Sequence, residues 1–326
     1  MRLVFTSYNS SPEFTCPRAW LKRIAFYTGI LDKLSETHSV TAVEHISYTG
    51  EFWQNGVRYL FWPLKKKVTR FPFHKHRMMK KLAPDVVFIN GFIFPWQIIQ
   101  LRLQLGKTTK IIVLHRAEKP FKGYKAVLQK MADRFVSGYF FSSLEQCSSW
   151  ISGGIIPDQT KFHEILQSSS IFSSGNKPPS LDLPRKISYN FLWVGRLDEN
   201  KDPVTVMKAF IGFLEFAPRA QLKMIYQGGD LFQDVELLKN SSEKARNAIR
   251  LVGSVQHIDL KNYLGEADFL LSGSHYEGSG ISVIEAMSCG CIPILTNIPS
   301  FRKMTNGGQL GFLYEVGDNA GLLNIL

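Results

Sequence analysis

Short apolar runs rich in β-branched and aromatic residues recur along this chain, each followed by a stretch of helical periodicity. That alternation admits few folds, because strands separated by helices pair in parallel and the helices then cover both faces of the sheet. In the first half the strand candidates are RLVFT (2–6), VTAVEH (40–45), VRYLFW (57–62), DVVFIN (85–90), KIIVLH (110–115) and GYFFSS (138–143). Between the first two, Ile24, Tyr27, Thr28 and Leu31 make the i, i+3, i+4, i+7 stripe of a helix. The segment SSSIFSSGNKPPSLDLPRK (168–186) breaks the pattern with Ser, Pro and Gly and reads as a linker. A second series follows: ISYNFLWVG (187–195), QLKMIY (221–226), IRLVG (249–253), DFLLSG (268–273) and CIPILT (291–296). A chain of 326 residues exceeds what one core usually supports. The predicted architecture is therefore α/β, with two doubly wound domains at 1–170 and 187–326 joined by a linker at 171–186.

Charge divides the halves. Residues 1–186 carry 27 Lys and Arg against 12 Asp and Glu, a net of +15, whereas residues 187–326 carry 12 against 15, a net of −3. The excess is densest in FWPLKKKVTRFPFHKHRMMKKL (61–82), where Lys65, Lys66, Lys67, Arg70, Lys75, Arg77, Lys80 and Lys81 interleave with Trp62, Phe71 and Phe73. Such a segment suits an anionic membrane surface or an ordinary solvated face, and no nucleic-acid module accompanies it. The cysteines Cys16, Cys147, Cys289 and Cys291 lack metal-ligand spacing and read as reduced thiols. The longest uncharged run, VVFINGFIFPWQIIQL (86–101), is too short and too broken to span a bilayer. The expected location is cytoplasmic, with a peripheral position at the inner face of the membrane.

Open parallel sheets bind ligands beyond the carboxyl ends of their strands. In FLWVGRLDENKDPVTVMKAF (191–210) a strand ends at Gly195, Arg196 and Lys201 follow on a polar loop, and Asp202 with Pro203 opens a helix. Two cations there suit a diphosphate. In HYEGSGISVIEAMSCG (275–290) a Gly-Ser-Gly turn leads into a helix starting near Ile281, so the amides of Ser279, Gly280 and Ile281 form an anion site at its positive end. Glu277 and Glu285, which flank that turn, would repel phosphate and are better suited to sugar hydroxyls.

Together, VGRLDENKDPVTVMKAF and EGSGISVIEAMSCGCIPILT closely resemble the retaining glycosyltransferases of family 4, which have the GT-B fold of two Rossmann-like domains facing a central cleft. The resemblance rests on an E-x7-E motif at Glu277 and Glu285, on Arg196 and Lys201, and on the downstream GQLGFLYEVGD. It implies that Glu285 holds the donor ribose, that Glu277 contacts the donor sugar, and that Arg196, Lys201 and the amides of Ser279 to Ile281 hold the diphosphate of a UDP- or GDP-linked sugar. GSVQH would place Val255 and Gln256 beside the base. More loosely, KIIVLHR makes His115 the residue that touches the donor sugar or leaving phosphate. The turn after the first strand, SYNSSPEFTCP, departs from the family's Gly-rich turn and offers Asn9, Ser10 and Ser11 on the acceptor side. The chain stops at Leu326 inside NAGLLNIL, where family members continue to a helix that crosses back to the first domain.

The function these residues imply is retaining transfer of a hexosyl group to a hydroxyl of a glycan or lipid-linked acceptor, in cell-surface polysaccharide or lipopolysaccharide synthesis. No Asp-x-Asp pair occurs, so the expected turnover needs no metal and no cofactor. The alternatives are a nucleotide-sugar epimerase of the same fold and a degenerate nucleotide-sugar-binding protein.

Overall fold

The computed structural model describes residues 1–64, 69–173 and 188–326. The chain divides into two compact units, Met1–Ser169 and Ser170–Leu326. Residues 174–186 of the expected linker lie outside the described residues, as do Lys65, Lys66 and Lys67.

The first unit holds β1 (Arg2–Thr6), β2 (Ser39–Glu44), β3 (Gly50–Gln54), β4 (Val57–Phe61), β5 (Val86–Asn90), β6 (Lys110–Leu114), β7 (Gly138–Phe141) and β8 (Phe162–Glu164). They form one sheet in the order β3-β4-β2-β1-β5-β6-β7-β8. All neighbours pair in parallel except β3 and β4, a hairpin. Its turn, Asn55-Gly56, takes φ of +49° and +78°, the left-handed pair that a two-residue hairpin requires. Along β1, Leu3 and Phe5 enter one hydrophobic cluster while Val4 enters another on the opposite face, which is why a doubly covered strand reads as a continuous apolar run. The stripe from Ile24 to Leu31 starts at the junction of two helices, Pro17–Arg23 and Ala25–Ser35, where Ile24 takes φ −102° and ψ 23°, and its other members lie in the second helix.

Lys75 and His76 depart from the reading of 61–82 as a membrane-facing or solvated basic segment. Both are buried in the helix Phe73–Lys81. The Lys75 ammonium bonds the Ser7 carbonyl, lies 2.7 Å from His45 Nε2 and sits 3.9 Å from the centre of the Tyr8 ring. Tyr8 Oη lies 2.8 Å from His76 Nε2. Burial, with the nearby Lys75 charge adding to it, lowers His45 and His76 to about 3. Burial lifts Glu44 to about 7, opposed by a hydrogen bond from Trp20 and by the Lys75 charge.

The second unit holds β9 (Asn190–Gly195), β10 (Gln221–Tyr226), β11 (Ile249–Gly253), β12 (Phe269–Ser272), β13 (Ile292–Thr296) and β14 (Phe312–Tyr314). The sheet is wholly parallel in the order β11-β10-β9-β12-β13-β14. The chain winds outward from β9 in one direction and then from β12 in the other, so the switch point falls between the ends of β9 and β12. Phe191 and Trp193 pack on one face and Leu192 on the other.

Candidate functional site

The loops that follow β9 and β12 meet at that switch point, where a doubly wound sheet leaves a crevice. The β9 loop runs from Gly195 to Asp202, whose Oδ1 accepts from Thr205 N at 3.1 Å to cap the helix Pro203–Phe213. Pro203 takes the first helical position, where its missing N–H costs nothing. The β12 loop runs from Gly273 to Gly280 and enters the helix Ile281–Ser288.

Several bonds stitch the two loops together. His275 N donates to Asn200 O at 2.8 Å, Asn200 Nδ2 donates to Tyr276 O at 3.1 Å, and His275 Nε2 lies 3.2 Å from Asp202 Oδ2. Lys201 pairs with Glu277, whose Oε1 also accepts from Ser274 Oγ at 3.0 Å. Side-chain exposure of 24% for Lys201 and 17% for Glu277 leaves this pair at the surface of the loops. Arg196 is 70% exposed and lies 3.4 Å from Asp198, so its guanidinium projects from the same loop with little holding it.

Gly280 caps its helix in a left-handed conformation, φ +48°, and brings no side chain to the first amides. Helix amides without a capping side chain are donors awaiting an acceptor, at the end where the helix dipole favours an anion. A Cβ on Gly280 would stand 2.9 Å from Met304 Cε and 3.1 Å from Phe301 Cε1, so the turn is packed from below as well as strained for any other residue. Glu285, one turn further on, is 2% exposed. Its Oε1 lies 2.5 Å from His257 Nε2, and the His257 ring packs against Phe172 at 5.0 Å. Burial raises the Glu285 carboxyl above its ordinary range, and the hydrogen bond from His257 pulls it back down.

Sequence reasoning passed over His257, although it ends the GSVQH segment in which Val255 and Gln256 were singled out. Val255 packs, half-buried, against the core of the second unit, and Gln256 precedes the short 3-10 turn His257–Asp259 that carries the histidine. A third loop was also missed. Gly228 and Gly229 follow β10, and Gly228 O accepts from Leu197 N at 2.9 Å, fastening this loop to the β9 loop. The Gly-Gly pair one residue past the end of a strand is the available signal.

In the first unit, Asn9 and Ser10 are exposed beyond the end of β1. Ser10 Oγ and Ser11 N both donate to His45 O, at 3.3 and 2.8 Å, so this turn is tied to the loop after β2. His115 lies inside the unit at 3% exposure, stacked on Phe141 at 4.3 Å with Trp150 edge-on at 5.9 Å. Its Nε2 meets Glu118 O at 2.9 Å, and its Nδ1 is buried without a partner. In this position the ring anchors a loop and presents no nitrogen to solvent. Glu118 itself accepts from the amides of Phe92 at 2.5 Å and Arg116 at 2.6 Å, joining the loops after β5 and β6. Among the described residues no cluster of three His, Cys, Asp or Glu side chains is placed to hold a metal.

The chain is 27% identical over 165 residues to a phosphatidyl-myo-inositol mannosyltransferase of Mycobacterium leprae (strain TN), half of this chain and 42% of that protein. It is 28% identical over 128 residues to a GDP-mannose:cellobiosyl-diphosphopolyprenol alpha-mannosyltransferase of Komagataeibacter xylinus, 33% of each. The matches thus span less than half the length of these relatives. Among solved structures, Anabaena Alr3699/HepE in complex with UDP and glucose covers 100% of this chain and 88% of its own, with a TM-score of 0.65 at 14% identity. That likeness runs through both units and gives the chain the GT-B fold. The model of the family described as glycosyl transferases group 1 matches residues 184–324, which takes in nearly all of the second unit with its stitched switch-point loops.

Proposed function

We propose that this protein transfers a hexosyl group from a nucleotide-diphosphate sugar to a hydroxyl of a glycan or lipid-linked acceptor, with retention at the anomeric carbon. The observation that carries the reading is the helix start at Gly280, which has no capping side chain, is set between two carboxylates and is tied through Glu277 to Lys201. An anion-binding turn flanked by hydroxyl-binding carboxylates has the chemistry of a diphosphate joined on both sides to sugars.

In this reading the Ser279, Gly280 and Ile281 amides, Lys201 and the exposed Arg196 hold the diphosphate. They stabilise the negative charge that develops as the bond from the anomeric carbon to the phosphate oxygen breaks. The acceptor oxygen forms the new bond on the same face, and its proton passes to the departing phosphate. Glu285 takes the ribose hydroxyls and Glu277 those of the donor sugar. Protein cations neutralise the diphosphate, so turnover proceeds without a divalent metal. Acceptor recognition falls to the first unit, with the exposed Asn9 and Ser10 as its candidates. Names of relatives that include GDP-mannose and a lipid diphosphate, and a structural neighbour holding UDP and glucose, support both the donor and the acceptor class.

The test is incubation of the full chain with UDP- and GDP-linked hexoses and lipid-linked or glycan acceptors, in the presence and absence of chelator. Transfer with retained anomeric configuration is expected in both conditions. An epimerised free nucleotide sugar, formed without acceptor, would replace this reading with the epimerase.

A further inference from the structure

One helix of the first unit buries polar side chains while it exposes three large apolar ones. In Tyr124–Asp133 the polar residues Gln129 and Asp133 are buried, while Tyr124, Val127 and Met131 are 75%, 56% and 44% exposed. These three lie three and seven residues apart and share one face of the helix. The inversion is not a packing fault, because the inward polar groups are satisfied. Gln129 donates to Phe92 O at 2.7 Å and accepts from Phe121 N at 2.8 Å, and Asp133 accepts from Tyr139 Oη at 3.0 Å and from Lys161. The apolar stripe is left facing water by a helix whose other side is fully committed.

The stripe continues onto neighbouring segments. Phe71 and Phe73, 46% and 55% exposed, stack at 6.0 Å, and Phe71 meets Trp96 edge-on at 6.4 Å. Arg70, Phe71, Ile93, Trp96, Tyr124 and Leu128 line one shared groove. Cations border it: Arg70 lies 5.7 Å from the Phe71 ring centre and Lys125 lies 5.7 Å from that of Phe121, while Lys122 and Lys130 are exposed beside the stripe. Neither residues 69–84 nor residues 119–132 contain an Asp or Glu. Segments with exposed aromatics and flanking Lys and Arg, and without Asp or Glu of their own, are complementary to an anionic lipid interface, where rings enter the acyl boundary and cations meet the headgroups.

We infer that the first unit docks on anionic bilayers through Tyr124, Val127 and Met131 together with Phe71 and Phe73. This narrows the charge-based expectation for residues 61–82 to a defined face and adds a helix that charge alone does not reveal. It rests on the first unit only and stands whether or not the donor site is read correctly.

The test is co-sedimentation of the full chain with vesicles of phosphatidylcholine alone and of phosphatidylcholine with phosphatidylglycerol. Wild type is compared with Tyr124→Ser/Val127→Ser/Met131→Ser and with Lys122→Glu/Lys125→Glu, each shown to melt near the wild-type temperature. Binding to the anionic vesicles only, weakened about tenfold or more by either set and suppressed by salt, is expected. Unchanged binding in the serine variant would overturn insertion of the stripe. Equal binding to neutral vesicles, or binding to heparin and duplex DNA but to no vesicle, would overturn the lipid assignment. A nucleotide thermal shift on the same variants should match wild type, which separates this face from the donor site.

Discussion

His257 Nε2 stands 2.5 Å from Glu285 Oε1, a pair brought together from the 3-10 turn after β11 and the helix after β12. Glu285 must be ionised to accept two ribose hydroxyls, yet burial opposes its charge and His257 counters that opposition. Removing the imidazole leaves burial acting alone.

His257→Ala should therefore move the acid limb of nucleotide affinity to higher pH, and His257→Gln, which keeps a donor, should restore part of the shift. The measurement is UDP and GDP affinity by calorimetry from pH 5 to 8 in the three proteins. A uniform loss of affinity at every pH in both variants would mean that His257 serves packing against Phe172 and does not tune Glu285.

Lys201→Met should slow turnover by about a hundredfold, the usual consequence of losing one preorganised group that stabilises leaving-group charge. Because the Lys201–Glu277 pair is partly exposed, the melting temperature should change little. Steady-state rates and a melting curve on the same preparation decide it; unchanged kcat would remove Lys201 from the diphosphate.

The Gly228–Gly229 loop offers a paired test of backbone fit. A Cβ on Gly229, at φ +132°, would lie 2.1 Å from Leu197 O, whereas one on Gly228, at φ +55°, meets nothing within 4 Å. Gly229→Ala should cost about 3 kcal/mol or more and Gly228→Ala about 1 kcal/mol. Urea midpoints measure both, and equal costs would contradict the close approach of this loop to the β9 loop.

Glu44 gives a pH signature to the first unit. Its folded pKa, raised to about 7, means that its contribution to stability is fully present below about 4.5 and is lost as pH rises through 7. Glu44→Gln removes that loss, so the variant should gain about 3 kcal/mol on wild type between pH 4 and pH 8. His45 and His76, lowered to about 3, act in the opposite sense in both proteins. Their contribution is present above about 6.5 and falls as pH drops toward 3, so it cancels in the comparison. Urea titrations at pH 4, 6 and 8 should show the divergence; parallel curves would mean that Glu44 is solvated.

What the sequence made legible follows from where each residue's partners lie. Strands such as 2–6 and 221–226 send side chains into cores on both faces, so their apolar runs match the observed limits. β3 escaped because GEFWQ is a half-exposed edge strand, although its Asn55-Gly56 turn was a readable hairpin signal. β8 is three residues at the opposite edge. The turn and helix around Gly280 were legible because phosphate and hydroxyl chemistry demand local spacing. The partners of Glu285 and Lys75 were not, since His257 lies 28 residues from the first and His45 lies 30 from the second. Nor does a row of neighbouring cations indicate which lysine turns inward.

The most direct measurement is a thermal-shift panel of UDP, GDP, ADP and their common sugars on the full chain and on Glu285→Ala. Stabilisation by one nucleotide, about 2.7 kcal/mol at a hundredfold excess over its Kd, that is lost in Glu285→Ala is the predicted result. No shift with any nucleotide from folded protein would contradict a working donor site.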